Sequence, residues 1–412
     1  MFIEILIALL LGVTAGTLTG LTPGLHLNLA SAIVVSIFPI LAVALPSITA
    51  IHIVCCIVSL ATTHTIIDTL PSVFLGAPSE ENIASAVPAH QQMLRGNGLY
   101  AVFCIVSGSY LSFLLTFLCA PVLLLIMKHT QTIIQPAIGL MLLIIITQFF
   151  ACEQKEKRVA IIGVWLLSGC LGILTLAYPK LRQPLLALLS GLFGIPTLVE
   201  NIVANAQPPA QKPHDTEISA SQIKQSTVIA TIAGFCAGFL PGLGSSQVSI
   251  ISNKFAQNAE KNGKNKQDQT LQLMTSGGIN TVSMLVSCIA ILAIHKARNG
   301  AIVSILDIVP TPTTQLVTLL FVCSLIAASV STYLAVSLAK YIPALVAKVS
   351  YALVSKCILA FIVVLVLYFD GLVGMIILMT ASALGTAVLK IGCQKQYLLG
   401  SLLIPVLAFF LL

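Results

Sequence analysis

Long apolar runs alternate with short polar segments along nearly the whole chain. Each run is about 20 residues long, which at helical rise is enough to cross a hydrocarbon layer about 30 Å thick. The runs are continuous and do not alternate every second residue, so they predict helices and not the strands of a membrane barrel. The apolar runs, which include the segments beside the breaks, lie near residues 3–21, 29–45, 48–68, 99–127, 132–151, 159–178, 183–204, 226–241, 271–294, 314–338, 344–369, 371–389 and 396–412. The pattern predicts an all-α polytopic membrane protein with eleven or twelve transmembrane helices plus re-entrant or broken segments.

The polar segments divide the chain. Residues 76–98 are more polar than the segments on either side and predict a loop or a re-entrant segment. The stretch 206–224 is polar and proline-rich, which is typical of an exposed linker. We therefore expect a first membrane repeat over residues 1–205 and a second over residues 225–412, joined by this linker.

One short sequence appears twice, at residues 16–25 and 234–243, and both copies follow G-x-x-x-G-x-x-P-G-L. Each copy interrupts an apolar run with a Pro-Gly pair, which removes a backbone donor and permits dihedrals that end a helix. At membrane depth the freed backbone groups must face protein or a water-filled cavity, and paired interruptions in two halves point to a transporter's central site. The two Pro-Gly breaks are therefore the expected site.

The glycines of the motif have a second explanation. Glycines four residues apart also form the small-residue face of closely packed membrane helices. Packing requires neither the repeated proline nor the polar residues that follow each copy, and those features favour a site.

Other matches suggest a duplication. The segment Ile67-Asp68-Thr69 resembles Ile279-Asn280-Thr281, and Asn97-Gly98 resembles Asn299-Gly300, in the same order after each motif. The turn at Pro46 has no lysine or arginine, whereas the corresponding loop over residues 254–266 has four lysines. If basic loops face the cytoplasm, the two loops lie on opposite sides of the membrane, which favours an inverted repeat.

Composition supports a multi-pass protein of the cell (plasma) membrane. Charged residues are 8% of the chain, against about 25% in soluble proteins. The net charge of +7 comes from basic residues in short loops, where they contact lipid headgroups, so it does not indicate nucleic-acid binding. The 11 cysteines are scattered without C-x-x-C spacing and predict no disulfide framework.

The residues around the breaks suit an anion. Hydrogen-bonding side chains follow each break, beside helix N-termini whose free N–H groups and positive dipole ends favour carboxylate or phosphate. A further glycine-bearing polar patch begins at Thr275 and could complete the pocket. The candidate substrate-binding residues are Gly20, Thr22, Pro23, Gly24, His26, Asn28, Gly238, Pro241, Gly242, Gly244, Ser245, Ser246, Gln247, Gly277, Gly278, Asn280 and Thr281.

Asp68, with Thr69, is the candidate for ion coupling. A carboxylate at membrane depth is costly and usually faces a cavity or an ion pathway. The alternative is an interfacial aspartate that caps a helix, and the sequence favours neither. Sodium or protons are the coupling ions that this interpretation allows, and no cofactor is expected.

Nothing in the sequence indicates an enzyme. There is no H-E-x-x-H, G-x-S-x-G or G-x-x-x-x-G-K-[ST] pattern, and the histidines do not form a metal spacing. No catalytic residue and no metal ligand is predicted.

The motifs resemble a known family. The duplicated G-x-x-x-G-x-x-P-G, the segment Gly76-Ala-Pro-Ser79 and Gly277-Gly-Ile-Asn-Thr281 are similar to TctA, the large membrane subunit of tripartite tricarboxylate transporters, and in particular to its shorter, archaeal-type branch. The resemblance implies a cation-coupled carboxylate importer that works with a small membrane subunit and an extracytoplasmic binding protein. It also implies that the loops at 20–28 and 238–247 form the site.

The expected function is secondary-active transport of a small organic anion held between the two broken helices near the midplane. An alternative is a polyprenyl-phosphate lipid flippase, in which the same loops would hold the headgroup. An intramembrane enzyme or scaffold is the third possibility. The expected partners are the anion or lipid phosphate and membrane lipids, and the sequence is compatible with a homo-oligomer.

Overall fold

A computed structural model describes most of the chain. The described residues are 2–23, 25, 27–76, 81–151, 155–204, 209–211, 218–240, 244–259, 265–295, 297, 299–348, 351–392 and 395–411.

The described residues form helices and no strands, as the apolar pattern predicts. The helices before the proline-rich segment are α1 Phe2–Leu21, α2 Leu27–Ala44, α3 Ala50–Ile67, α4 Thr69–Leu75, α5 Ile83–Leu94, α6 Gly98–Ile134, α7 Ile138–Ala151, α8 Lys155–Ala177, α9 Pro184–Leu189 and α10 Ile195–Ala204. Those after it are α11 Ala220–Phe239, α12 Ser245–Ala259, α13 Asn265–Ile294, α14 Gly300–Ile308, α15 Thr314–Lys348, α16 Tyr351–Ile391 and α17 Gly400–Leu411. One π-helical turn, Ser190–Gly194, joins α9 to α10.

Both polar segments contain helical residues. The polar segment at residues 76–98 contains a helix, α5. Helix α11 begins inside the range expected as linker, because Ser219 caps it: its hydroxyl accepts from Gln222 N at 3.2 Å, and Gln222 Oε1 accepts from Ser219 N at 3.1 Å. The linker range therefore contributes the first turn of a helix.

In the described part of the chain, nine helices are long and apolar enough to cross a membrane. The number is below the expected eleven or twelve partly because α16 contains two of the expected spans. Helix α7 has only 14 residues, and α11 and α17 are also outside the nine. The protein is an all-α, multi-pass membrane protein.

Helix α16 reverses direction at Gly371, where φ is 60° and ψ is −147°. A Cβ on Gly374 would lie 3.0 Å from Cγ1 of Val366, a contact that residues eight apart on one straight helix cannot make, since they are about 12 Å apart. A straight helix of 41 residues would also be about twice as long as a hydrocarbon layer is thick. The two parts of α16 therefore pack as antiparallel spans.

Glycine faces hold two helix pairs together. A Cβ on Gly16 of α1 would collide with the carbonyl oxygen of Leu60 in α3, and one on Gly238 of α11 would lie 2.8 Å from the carbonyl oxygen of Ser283 in α13. Glycine at these positions lets the backbones touch. Close packing between helices therefore accounts for these glycines of the motif.

Helices α3 and α13 lie at the centre of the fold. In the spans Ala50–Leu75 and Gln269–Ile294, 83% of the most apolar 18-residue window is buried, against 22% in α2 and α6. Helix α6 packs along α13, and α15 packs along α3. Polar side chains on α13 are therefore enclosed by protein and not by lipid.

Candidate functional site

A cavity of about 170 Å³ lies where α12, α13 and the first turns of α2 and α14 meet. Polar side chains and backbone dominate its described wall. The residues that line it are Asn28, Glu81, Leu185, Ala237, Gly244, Ser245, Gln247, Asn280, Ser283, Met284, Asn299 and Gly300.

Five candidate residues from the sequence line this cavity: Asn28, Gly244, Ser245, Gln247 and Asn280. Asn28 and Gly244 are exposed and lie at the open edge. The other three are buried, with 5 to 7% of their surface exposed. The cavity therefore brings together residues that follow both motif copies with one residue of the polar patch in α13.

The start of α12 forms one side of the cavity. Ser245 is its first residue, and the Ser245 hydroxyl donates to the backbone carbonyl of Glu81 at 3.0 Å. A helix start carries free N–H groups and a partial positive charge. This edge therefore suits an anionic group.

The start of α14 forms a second edge. Asn299 caps the helix, because its Oδ1 accepts from Ile302 N at 2.9 Å, and its Nδ2 contacts Met284 Sδ at 3.1 Å. The next residue, Gly300, donates its N–H to Asn28 Oδ1 at 3.1 Å. Asn28 thus joins α2 to the first turn of α14 at the mouth of the cavity.

Glu81 gives the described wall its charge. It is half-buried, and among the described lining residues it is the one ionisable side chain. Arg298, which precedes Asn299 in the sequence, lies outside the described residues. Within the part of the chain that the structure describes, no group of three or more His, Cys, Asp or Glu side chains is arranged to hold a metal ion.

The ion-coupling candidates lie beside the cavity and do not line it. Asp68 is 4% exposed at the junction of α3 and α4, and Thr69 begins α4. The backbone carbonyl of Asp68 accepts from the Ser72 hydroxyl at 2.8 Å and from Asn82 Nδ2 at 3.4 Å. Asn82 follows Glu81 directly, so the Asp68 region is connected to the cavity wall through one residue.

Several glycine candidates lie at helix contacts. Gly20 packs against Ile67 of α3, and Gly238 packs against Ser283 of α13. A Cβ on Gly277 would collide with the carbonyl oxygen of Ile105, and one on Gly278 with the hydroxyl of Ser112, both in α6. These four glycines position the helices that carry the cavity.

The remaining described candidates are also away from the wall. The Thr281 hydroxyl donates to the Ser109 carbonyl of α6 at 3.0 Å, and the Thr22 hydroxyl donates to the Leu18 carbonyl at 2.8 Å. Pro23 follows the end of α1, and Ser246 is buried in the first turn of α12. The candidates Gly24, His26, Pro241 and Gly242 lie outside the described residues.

Seven lining residues are absent from the candidates that the sequence suggests, namely Glu81, Leu185, Ala237, Ser283, Met284, Asn299 and Gly300. Asn299-Gly300 is a possible repeat signal in the sequence, and an asparagine before an apolar run is itself an N-cap signal. Glu81 likewise lies just before a helix start, because the next residue, Asn82, is the N-cap residue of α5. Leu185 and Met284 carry no local signal, because they reach the cavity through long-range packing.

Buried spans around a polar cavity flanked by helix starts are typical of membrane transporters. The chain belongs to the tripartite tricarboxylate transporter TctA family, whose sequence pattern matches residues 6–400. Members of this family work in the membrane with two further components of a tripartite system. The protein is therefore a multi-pass transporter of the plasma membrane.

One relative is archaeal. The uncharacterized protein MJ1079 of Methanocaldococcus jannaschii is 29% identical over 298 residues, which cover 72% of this chain and 70% of that protein. This similarity agrees with the expected archaeal-type branch of the family. No solved structure matches the chain.

Proposed function

We propose that the protein is a secondary-active transporter of a small organic anion, a carboxylate, which binds in the cavity between the first turns of α2, α12 and α14. The observation that carries the proposal is the meeting of two helix starts, at Ser245 and Gly300, in one polar cavity inside a membrane protein.

The chemistry of the wall supports an anion held by neutral donors. The side-chain amides of Asn28, Gln247 and Asn280 each carry an NH₂ donor, and the start of α12 adds backbone N–H groups. Several neutral donors suit a carboxylate, which accepts at two oxygens. Selectivity would then come from the placement of donors around the 170 Å³ space.

The proposal includes two repeats, residues 1–205 and 225–412, in inverted orientation. Equivalent glycine contacts support them: Gly16 meets Leu60 as Gly234 meets Ile279. The two glycines are 218 residues apart and their partners 219 apart. With this spacing Asp68 corresponds to Ser287. The local sequence instead matches Asp68 with Asn280, which lies two helical turns before Ser287.

We assign ion coupling to Asp68 and Thr69, with sodium or a proton as the ion. Burial of the Asp68 carboxyl within a membrane span supports this assignment, because such a group is costly without a function. The connection through Asn82 provides a path by which ion binding could alter the cavity.

The family's tripartite organisation suggests partners for this chain. We propose that it works with a small membrane subunit and an extracytoplasmic binding protein that delivers the anion, and that copies of the chain form a homo-oligomer. Co-purification with the two candidate subunits tests the first part, and the mass of the complex in detergent tests the second.

Thermal unfolding of the purified protein tests the function. A ligand that binds the folded state raises the unfolding temperature by mass action. Citrate, succinate and a polyprenyl phosphate should be compared, each with and without sodium. A rise with either carboxylate supports the proposal. A rise with the lipid phosphate alone contradicts it and assigns the cavity to a lipid flippase.

A further inference from the structure

Three apolar side chains line the cavity beside the amides. They are Leu185 of α9, Ala237 of α11 and Met284 of α13. Ala237 and Met284 are buried and Leu185 is half-buried, so protein packing holds each of them at the wall. A ligand that fills the cavity of about 170 Å³ therefore contacts an apolar surface as well as the amides.

Leu185 is held at the cavity by the residues on both sides of it. Before it, the backbone N–H groups of Arg182 and Gln183 donate to Asp370 Oδ1 at 2.7 and 2.9 Å. After it, α9 continues with residues 186–189, of which none is more than 3% exposed. Because both neighbouring segments are anchored, the backbone keeps the Leu185 side chain beside the space.

Ala237 and Met284 lie beside one helix contact. Gly238 of α11 packs against the carbonyl oxygen of Ser283 in α13. Ala237 precedes that glycine and Met284 follows that serine in the sequence. The Met284 sulfur also contacts Asn299 Nδ2 at 3.1 Å. A methionine side chain is flexible by itself, and this contact gives Met284 a defined place in the wall.

The hydrogen-bond donors of the wall suit one carboxylate. The Ser245 hydroxyl already donates to a backbone carbonyl at 3.0 Å, and the side chain of Asn299 caps α14. The side-chain amides of Asn28, Gln247 and Asn280 provide the NH₂ donors of the wall. A carboxylate accepts about four hydrogen bonds at its two oxygens, and a tricarboxylate needs three times as many.

The apolar wall is unfavourable for a further charged group. A carboxylate placed against Leu185, Ala237 and Met284 would lose its water without gaining hydrogen bonds, which is costly. An alkyl or aryl group at the same place would bury apolar surface, which is favourable. The cavity therefore suits a ligand that is charged at one end and apolar at the other.

We propose that the cavity prefers a monocarboxylate with a branched alkyl or aryl group over a dicarboxylate or a tricarboxylate. The carboxylate binds at the amides and the start of α12, and the apolar group packs against Leu185, Ala237 and Met284. This inference rests on the proposed function and deepens it by naming the class of substrate. Leu185 and Met284 are then residues that determine specificity.

The test compares two ligands of nearly the same size and shape. Succinate and 4-methylpentanoate differ in that an isopropyl group replaces one carboxylate. Both, and citrate, are titrated calorimetrically into the purified full-length protein at neutral pH, with titration into detergent alone as the blank. We expect 4-methylpentanoate to bind at least about tenfold more tightly than succinate, because one methylene in an apolar pocket already changes affinity by about this factor.

The decisive variant is Leu185→Asn, which nearly keeps the size of the side chain and makes it polar. It should weaken the binding of 4-methylpentanoate by about tenfold and should not weaken that of succinate. Leu174→Asn is the matched control, because Leu174 is 71% exposed on α8 and is not among the residues that line the cavity. It should keep the wild-type ratio of the two Kd values.

A second variant, Met284→Gln, keeps the inference testable if Leu185→Asn does not fold. Glutamine is nearly as long as methionine, and its Oε1 can accept from Asn299 Nδ2, so the link to α14 is kept. Met284→Gln should shift the ratio of the Kd values toward succinate, as Leu185→Asn does. Thermal unfolding of each variant is recorded first to show that it is folded.

Two results overturn the inference alone. The first is a wild type that binds succinate or citrate at least as tightly as 4-methylpentanoate. The second is the wild-type ratio of Kd values in both folded variants. If no carboxylate binds the wild type, the proposed function itself fails. It also fails if 4-methylpentan-1-ol, which keeps the apolar group and lacks the carboxylate, binds as tightly as the acid.

Discussion

Asn28 and Gly300 are 272 residues apart in the sequence and are joined by a hydrogen bond of 3.1 Å, from the N–H of Gly300 to Asn28 Oδ1. The bond links the first turn of α2 to the first turn of α14 at the edge of the cavity. It therefore joins the residue that follows the first motif to a helix start in the other half of the chain. Ser245 and Glu81 make a corresponding contact between the halves at the same cavity.

Replacement of Asn28 should affect the cavity more than the fold. Asn28→Ala removes one neutral and exposed hydrogen bond, which contributes about 1 kcal/mol to the free energy of unfolding. We expect carboxylate affinity to fall by about tenfold, since the start of α14 loses its anchor and the wall loses an amide. Calorimetric titration measures the affinity. Ser36→Ala, on the exposed side of the same helix, is the control, and equal affinities in both variants would contradict the prediction.

Asp68→Asn should remove the ion dependence of uptake. The bonds to Ser72 and Asn82 use the backbone carbonyl of Asp68, so the variant keeps them. Uptake of labelled citrate or succinate into proteoliposomes, with and without sodium or a pH gradient, measures the effect. Glu200→Gln, an exposed acid on α10, should behave like the wild type. Normal ion-dependent uptake by the Asp68→Asn protein would exclude its coupling role.

Gly277→Ala should destabilise the protein. The added Cβ would collide with the carbonyl oxygen of Ile105, and backbone cannot move aside as a flexible side chain does. Overpacking of this kind costs about 1–3 kcal/mol. Thermal unfolding in detergent measures the change. Gly163→Ala in α8 is the matched control, because a Cβ on Gly163 would have nothing within 4 Å of it, and a loss of stability as large as that of Gly277→Ala would refute the packing argument.

We expect the folded protein to lose stability in acid because of His90. Burial lowers the pKa of its side chain below the ordinary value of 6.5, and the charge of Lys395 adds to this effect, while the hydrogen bond to the Val73 carbonyl opposes it. As the pH falls below 6.5, the unfolded chain binds a proton that the folded chain does not, so the full stability present above pH 6.5 is progressively lost. The loss is at most about 1.4 kcal/mol per pH unit.

Unfolding temperature against pH measures this effect. His90→Gln should show a shallower fall between about pH 6.5 and 5 than the wild type. His129→Gln, at an exposed position on α6, should follow the wild type. A wild-type curve that His90→Gln leaves unchanged would show that other groups cause the acid sensitivity.

Asp370 should stabilise the segment that begins with α9. Its Oδ1 accepts from the backbone N–H groups of Arg182 and Gln183, at 2.7 and 2.9 Å, just before the helix starts. Asp370→Ala removes both bonds and should cost about 2 kcal/mol, as the loss of a helix cap does. Asp370→Asn keeps an acceptor oxygen and should cost less. Thermal unfolding ranks the two variants against Asp307→Asn, and equal losses in all three would contradict a capping role.

The sequence predicts the helical membrane fold and part of the cavity for a local physical reason. A Pro-Gly pair between apolar runs marks where one helix ends and the next begins, so Asn28, Ser245 and Gln247 can be assigned to helix starts from the sequence. These three residues and Asn280 line one cavity because helices that are distant in the sequence pack together. No local pattern determines that packing.

The differences between the expected site residues and the residues that line the cavity have the same origin. Glycines serve both broken backbone and close helix packing, and the sequence cannot separate the two uses at Gly20, Gly238 or Gly277. In the sequence, Glu81 is only one residue of a polar stretch. Its place in the cavity wall depends on packing against Ser245, which is 164 residues away along the chain. A residue gains its role in this cavity from the element that packs opposite to it.

The reversal of α16 at Gly371 determines the sidedness of the residues near its two ends. Because the chain turns back at Gly371, we expect Cys357 and Lys390 to lie toward the same face of the bilayer and the turn at Asp370 toward the other. A membrane-impermeant reagent applied from one side would therefore modify introduced cysteines at both ends of this hairpin or at neither.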